Sequence, residues 1–128
     1  MKLVYIFLLS LIPQVVFGQI SVVSQTVKAV DAGNVFKMAE HFDRVVDVTM
    51  NNEQSTYSKA QATAVLQHFF KKNEVSSFTI NHENRPNNNA FVYIIGTLRT
   101  ENGDSFQVYL LFKQKRSGML LEEIRIEQ

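Results

Sequence analysis

The sequence AFVYIIGTLRTENGDSFQVYLLFKQK, at residues 90–115, contains two apolar stretches in which hydrophobic and polar residues partly alternate. Asn102-Gly103 separates the two stretches, and this dipeptide between alternating segments is the strongest short-range signal for a β-hairpin. The pattern therefore predicts antiparallel strands over residues 90–101 and 104–115.

The register of this hairpin follows from the length of its turn. If Asn102 and Gly103 alone form the turn, Tyr109 lies opposite Gly96, where a ring can cover the bare backbone of a strand glycine. One face of the hairpin then belongs to the core, and it holds Tyr93, Ile95, Thr97, Arg99, Phe106, Val108, Leu110 and Phe112.

The opposite face of the hairpin is also apolar in this register, although an antiparallel sheet with one wet side should alternate more cleanly. Such a patch is larger than a monomer usually leaves exposed, and a symmetric partner is the commonest way to cover it. We therefore expect a homodimer formed through this sheet face, with Val92, Ile94, Leu98, Tyr109 and Leu111 in the interface.

The clearest helix of the sequence lies at residues 58–72. Ser58 and Gln61 have the spacing of a capping box, in which each side chain satisfies a free backbone N–H. The apolar residues behind them recur at helical spacing and form a wide stripe. Its members, which we expect in the core, are Ala62, Val65, Leu66, Phe69 and Phe70.

The remaining segments complete an α+β domain. Apolar residues at helical spacing predict two N-terminal helices, and alternation predicts three further strands. The helices are placed at 20–32 and 34–41, the strands at 44–50, 75–83 and 120–127, and polar connections at 51–56 and 84–89. In the last strand, Leu120, Ile124 and Ile126 share one face.

The first 18 residues are typical of a secretory signal peptide. Lys2 gives a basic start, an apolar run follows at residues 3–12, and Val16 and Gly18 precede a plausible cleavage point. The run is too short to span a bilayer, which takes roughly 20 apolar residues. We expect an exported protein, periplasmic or secreted, with a signal peptide at 1–18 and a single domain at 19–128.

Composition narrows the classes of partner. Lys2 is the only charged residue of the signal segment, so residues 19–128 contain equal numbers of basic and acidic residues. Proteins that bind nucleic acid or anionic membranes usually carry an excess of positive charge. We therefore expect neither as a partner after cleavage. The sequence has no cysteine, so a disulfide and a cysteine-linked lipid anchor are both excluded.

The order of the predicted elements resembles the nuclear-transport-factor-2-like (cystatin-like) superfamily. Within it, the chain is similar to an uncharacterised domain-of-unknown-function family of short exported bacterial proteins. The resemblance implies a cone in which N-terminal helices pack on a curved, mainly antiparallel sheet and leave a pocket. It rests on Phe42-Asp43, residues 46–49, residues 57–62, Phe69-Phe70, residues 93–100, Val108-Tyr109 and residues 124–127.

No pattern of catalytic or metal-binding residues is apparent in the sequence. The three histidines, His41, His68 and His82, are not spaced as metal ligands. There is no nucleophile motif and no glycine-rich phosphate loop. We therefore assign no catalytic residue, no metal and no cofactor.

Four residues are candidates for ligand binding. His82 and Tyr93 share predicted apolar strand faces and could border a pocket, while Arg44 and Arg99 end such faces and could hold a polar group. We expect a non-enzymatic exported domain that binds a small ligand or a partner protein through its pocket or sheet face. The alternative is an enzyme that uses a pocket His or Tyr for acid–base chemistry on a small hydrophobic substrate.

Overall fold

A computed structural model of the chain describes residues 21–128, so the predicted signal peptide at 1–18 lies outside the described residues. The described part contains three helices and six strands. In chain order they are α1 (Val22–Asp31), α2 (Val35–Ala39), β1 (Phe42–Met50), β2 (Glu53–Ser58), α3 (Lys59–Lys72), β3 (Val75–Asn84), β4 (Phe91–Thr100), β5 (Ser105–Lys115) and β6 (Gly118–Glu127).

The strands form a single curved sheet with the order β2-β1-β6-β5-β4-β3. Each neighbouring pair is antiparallel except β1 and β6, which are parallel. The helices cover one face of this sheet, which we call the inner face. The predicted architecture, helices packed on a mainly antiparallel sheet, is therefore confirmed.

Strand β2 corrects the expectation of a polar connection over residues 51–56. It pairs with β1 from Glu53 opposite Met50 to Ser58 opposite Val45. Its side chains are polar and exposed except for that of Tyr57, which is half-buried. An edge strand with both faces in water carries no alternation of apolar residues, so the pattern used to find the other strands does not detect it.

The hairpin of β4 and β5 differs from the predicted register by one residue. Thr100 and Asp104 close a three-residue turn, with the Thr100 N–H donating to the Asp104 carbonyl at 3.0 Å and the Gly103 N–H donating to the Thr100 carbonyl at 3.1 Å. Gly103 has a φ of 88°, the left-handed conformation that ends this type of turn. Leu98 therefore lies opposite Phe106, and Gly96 lies opposite Val108.

A one-residue shift exchanges the two faces of a strand, and it does so for β4. Four residues of β5 are buried as predicted: Phe106, Val108, Leu110 and Phe112. The β4 residues that lie beside them in the core, however, are those that the predicted register placed on the opposite face. Val92, Ile94 and Leu98 are 2%, 0% and 0% exposed, so the predicted interface face is wrong at these three positions. Tyr109 and Leu111 do lie on the outer face, together with Tyr93, Ile95, Thr97 and Arg99.

The three helices begin and end within two residues of their predicted bounds. Both hydrogen bonds of the capping box join Ser58 to Gln61, at 3.1 and 3.2 Å. Gly33, with a φ of 64°, separates α1 from α2. Ala62, Leu66 and Phe70 of α3 are buried against the sheet, whereas Val65 and Phe69 are only half-buried.

Irregular pairing changes which residues of β6 reach the core. The register between β5 and β6 shifts between Leu111 and Phe112, which leaves Glu122 as an extra residue. Leu121, Ile124 and Ile126 are buried, so Leu121 takes the place in the core that the alternation assigned to Leu120. Simple alternation fails here because a bulge places two successive residues opposite one.

Candidate functional site

An open groove of about 700 Å³ lies between α3 and one end of the sheet. It forms on the inner face, where β1 and β6 end and β5 begins. The residues that line it are Met50, Asn51, Ala64, Val65, His68, Phe69, Lys72, Asn73, Asp104, Phe106, Ile126 and Gln128.

The wall of the groove is apolar and partly aromatic. Phe69 of α3 meets Phe106 of β5 edge to face, with ring centroids 5.2 Å apart and an interplanar angle of 80°. Phe69 also packs edge to face on Phe70, again at 5.2 Å. Because Phe70 and Phe106 are buried, they hold the half-buried ring of Phe69 in a defined position at the groove surface.

Polar side chains stand at the rim of the groove. His68 and Lys72 are both exposed and lie four residues apart, on the same side of α3. Asp104, the residue before β5, also lines the groove, and it anchors the hairpin turn because its N–H donates to the Thr100 hydroxyl at 3.1 Å. Within residues 21–128 neither Lys72 nor Asp104 forms an ion pair in which its charge would be neutralised.

None of the four residues predicted to bind a ligand lines this groove. His82, Tyr93 and Arg99 belong to the outer face, where His82 lies opposite Ile95 and Arg99 lies opposite Ser105. Arg44 is exposed in the irregular segment of β1. The inner placement expected for Tyr93 and Arg99 is corrected by the hairpin register, which turns both side chains to the other side of the sheet.

The sequence contained a signal for the groove that was not recognised. The apolar stripe of α3 includes Val65 and Phe69 besides its three buried residues. The stripe is therefore wider than the part of the helix surface that the sheet covers. His68 lies off that stripe and is exposed. Its proximity to Phe106 and Asp104 depends on how the strands end, which no local pattern reveals.

The outer face carries a second group of interacting side chains. The rings of Tyr93 and Tyr109 lie 6.1 Å apart, and the guanidinium of Arg125 lies 5.4 Å from the centre of the Tyr109 ring. Partial burial is the main reason that the pKa of Tyr93 is raised, and the nearby Arg125 opposes this effect. Tyr93 therefore presents a neutral ring at neutral pH.

Two further properties concern metals and membranes. Among residues 21–128, no three His, Asp or Glu side chains come together as metal ligands would. In the same part of the chain, no helix has the length and apolar character required to cross a membrane.

Solved structures with the same fold include those of three bacterial proteins. A DUF4783 family protein from Bacteroides ovatus is 30% identical, with a TM-score of 0.77 over 82% of this chain and 93% of that one. A DUF4783 family protein from Bacteroides fragilis is also 30% identical, with a TM-score of 0.75 over 81% and 95%. An NTF-2 like protein of unknown function from Shewanella oneidensis is 11% identical, with a TM-score of 0.62 over 84% and 93%.

Among curated proteins, none matches this chain. The family model described as Domain of unknown function (DUF4783) matches residues 23–127, nearly all of the described part. The fold is nuclear-transport-factor-2-like, as the sequence resemblance implied. The chain therefore belongs to the DUF4783 family.

Proposed function

We propose that this protein is a non-enzymatic binding domain whose groove between α3 and the sheet holds a small amphipathic molecule. The groove itself is the observation that carries the proposal. Its volume of about 700 Å³ is within the range of small-molecule sites, roughly 300–1,000 Å³. Such sites are mostly apolar and contain a few polar groups that orient the ligand.

The groove divides into regions suited to the two parts of such a ligand. Val65, Phe69 and Phe106 offer apolar surface, and removing that surface from water would stabilise the complex. Lys72 and His68 stand at the rim and could hold an anionic or hydrogen-bonding group. Asp104, on the strand side, disfavours a ligand whose negative charge lies at that edge.

The enzyme alternative lacks a comparable basis. It requires a His or Tyr with an acid–base partner in the pocket. His82 and Tyr93 lie on the outer face, away from the groove. His68 does line the groove, but it is exposed and forms no hydrogen bond to a carboxylate within residues 21–128. A binding role needs only the shape and polarity that the groove has.

Binding of 8-anilinonaphthalene-1-sulfonate tests this proposal, since that probe has an apolar ring system and one anionic group. We expect the native protein to bind it saturably, with a rise in fluorescence. The variant Ala64→Trp places an indole in the groove and should weaken binding at least tenfold. Ala60→Trp is the matched control, because Ala60 is an exposed alanine one turn earlier on α3 and does not line the groove.

Two results would count against groove binding. One is the absence of saturable binding by a folded native protein. The other is an equal effect of Ala64→Trp and Ala60→Trp on the dissociation constant, which would place the probe elsewhere on the surface. Circular dichroism and the thermal midpoint of each variant show whether it remains folded.

We also propose that the domain acts outside the cytoplasm. The support is the basic start, apolar run and small residues of the first 18 positions. Mass spectrometry of protein from its native host should find a chain that begins at Gln19. Intact Met1 in a cytoplasmic fraction would contradict export.

A further inference from the structure

The turn between β4 and β5 contains a side chain and a backbone nitrogen that can react with each other. Asn102 and Gly103 are both exposed, and apart from the chain neighbours no atom lies within 4 Å of the point where a β-carbon of Gly103 would be. Asn102 is the only asparagine of the sequence that glycine follows. Because glycine has no side chain, its nitrogen is the least hindered in approaching the side chain that precedes it.

We propose that Asn102 is a modification site, at which the side-chain amide is lost by deamidation, and that Thr100 sets the rate of this loss. The product is an aspartate or an isoaspartate at position 102. This inference does not depend on groove binding, since it concerns the covalent chemistry of the turn itself.

The reaction requires only the chain and water. The Gly103 N–H loses its proton to the solvent, and the nitrogen attacks Cγ of Asn102, so that a new C–N bond closes a succinimide ring. The side-chain NH2 group takes up a proton and leaves as ammonia. Water then opens the ring at one of its C–N bonds. Opening at Cγ gives aspartate, and opening at the backbone carbonyl carbon of Asn102 gives isoaspartate.

Two hydrogen bonds to Thr100 oppose the closure of this ring. The Gly103 N–H donates to the Thr100 carbonyl at 3.1 Å, so the proton that must leave is held inside the turn. The Thr100 hydroxyl donates to the side-chain oxygen of Asn102, which restrains the rotation that would bring Cγ to the Gly103 nitrogen. That hydroxyl is itself fixed, because Thr100 is buried and accepts from the Asp104 N–H. The folded turn therefore slows the reaction but leaves its atoms open to water.

The modification changes the charge at this end of the sheet. Glu101 precedes Asn102 and Asp104 follows Gly103, so deamidation adds a carboxylate between two existing ones. Asp104 lines the groove, and the new charge is therefore introduced at the groove's edge. Isoaspartate also adds a carbon to the backbone of a turn that the hydrogen bond from the Thr100 N–H to the Asp104 carbonyl closes.

Peptide mapping by mass spectrometry tests the modification. The native protein is incubated in mildly alkaline buffer made with heavy-oxygen water. We expect aspartate and isoaspartate that contain the heavy oxygen at position 102, formed faster than at any other asparagine. Asn52 is the internal control: it is also exposed in a turn, but Glu53 follows it, and the side chain of Glu53 hinders the attack.

Variants of two threonines on β4 test the restraint. Thr100→Val removes the hydroxyl and should raise the rate at Asn102 about fivefold, as expected for the loss of one hydrogen bond. Thr100→Ser keeps the hydroxyl and should follow the native rate. Thr97→Val is the matched control, because the Thr97 hydroxyl donates to Asn81 at 2.8 Å and His82, not glycine, follows that asparagine. It should raise conversion at neither asparagine.

Three outcomes would overturn the proposal. Asn102 would stay unmodified, or it would convert no faster than Asn52, or folded Thr100→Val would convert no faster than the native protein. If Thr100→Val does not fold, the native protein in urea decides. Conversion at Asn102 should then be faster above the denaturation midpoint than below it, and equal rates would contradict a restraint by the folded turn.

Discussion

The ring of Phe78 lies directly on the backbone of Gly96. A β-carbon at position 96 would be 2.4 Å from both Cε2 and Cζ of that ring, and 2.9 Å from the carbonyl oxygen of Thr79. Gly96 is therefore the point at which β4 allows a β3 side chain to pack flat against it. The prediction that Tyr109 covers Gly96 is wrong, because Tyr109 lies on the outer face and Phe78 covers Gly96 on the inner face.

Replacing Gly96 by alanine should destabilise the protein by about 1–3 kcal/mol, the usual effect of overpacking a filled core. Urea denaturation measures this change. Phe78→Leu should also be destabilising, but the double variant should lose less than the sum of the two single changes, because the shorter side chain relieves the contact. Additive losses would show that the Thr79 backbone, and not the Phe78 ring, limits the space.

The hairpin turn depends on the hydroxyl of Thr100, which is 4% exposed. This oxygen accepts from the Asp104 N–H at 3.1 Å and donates to the side-chain oxygen of Asn102. Thr100→Val leaves the Asp104 N–H without that partner and should cost about 1–2 kcal/mol.

The matched control for this turn is Thr97→Val on the same strand. The Thr97 hydroxyl donates to Asn81 at 2.8 Å in an exposed position, so its loss should cost below about 0.5 kcal/mol. Equal losses for the two valine variants would contradict a special role of Thr100 in the three-residue turn.

Local sequence predicted the features whose causes are local. The capping box at Ser58 and Gln61 involves backbone groups within one turn of helix, so the helix start was predicted correctly. The position of the hairpin was also correct, since Asn102-Gly103 lies within its turn. The turn length was not, because Asn-Gly occurs in both two-residue and three-residue turns.

Burial across the whole sheet distinguishes the two registers. With a two-residue turn, Arg99 would face the core and Leu98 would face water. With a three-residue turn, Leu98 lies opposite Phe106 in the core and Arg99 is exposed. The candidate site residues followed the wrong register, and the groove was not predicted because it depends on which strand ends meet α3.

The two adjacent phenylalanines of α3 should differ in what they stabilise. Phe70 is 8% exposed and belongs to the core, so Phe70→Ala should cost about 3–5 kcal/mol. Phe69, which the stripe placed in the core, is half-buried in the groove wall, so Phe69→Ala should cost only about 2 kcal/mol. It should also weaken binding of the anilinonaphthalene probe. Denaturation midpoints in the reverse order would show that the groove wall, and not Phe70, supports the sheet.

An ion-pair cluster joins the β5–β6 hairpin and should make stability depend on pH. Glu122 accepts from Lys115 at 2.7 Å and pairs with Lys113 at 3.0 Å. The hydrogen bond from Lys115 is the main cause that lowers the pKa of Glu122 below its ordinary value of 4.5, against the opposing effect of partial burial. The pKa of Lys115 is raised, chiefly by the same hydrogen bond.

The sign of the acid effect follows from these directions. Because the carboxyl pKa of Glu122 is lower in the folded protein, the unfolded chain binds its proton first, and stability decreases as the pH falls from about 4.5 through the folded value. Glu122→Gln should remove this contribution, about 1 kcal/mol or less for a pair near the surface. Urea denaturation at a series of pH values should therefore show that the free energy of unfolding decreases less steeply in acid for Glu122→Gln than for the native protein. Glu101→Gln is the control, because Glu101 is exposed and forms no ion pair within residues 21–128, and it should follow the native curve. Identical acid declines for all three proteins would mean that the Lys115 pair contributes nothing measurable to folding.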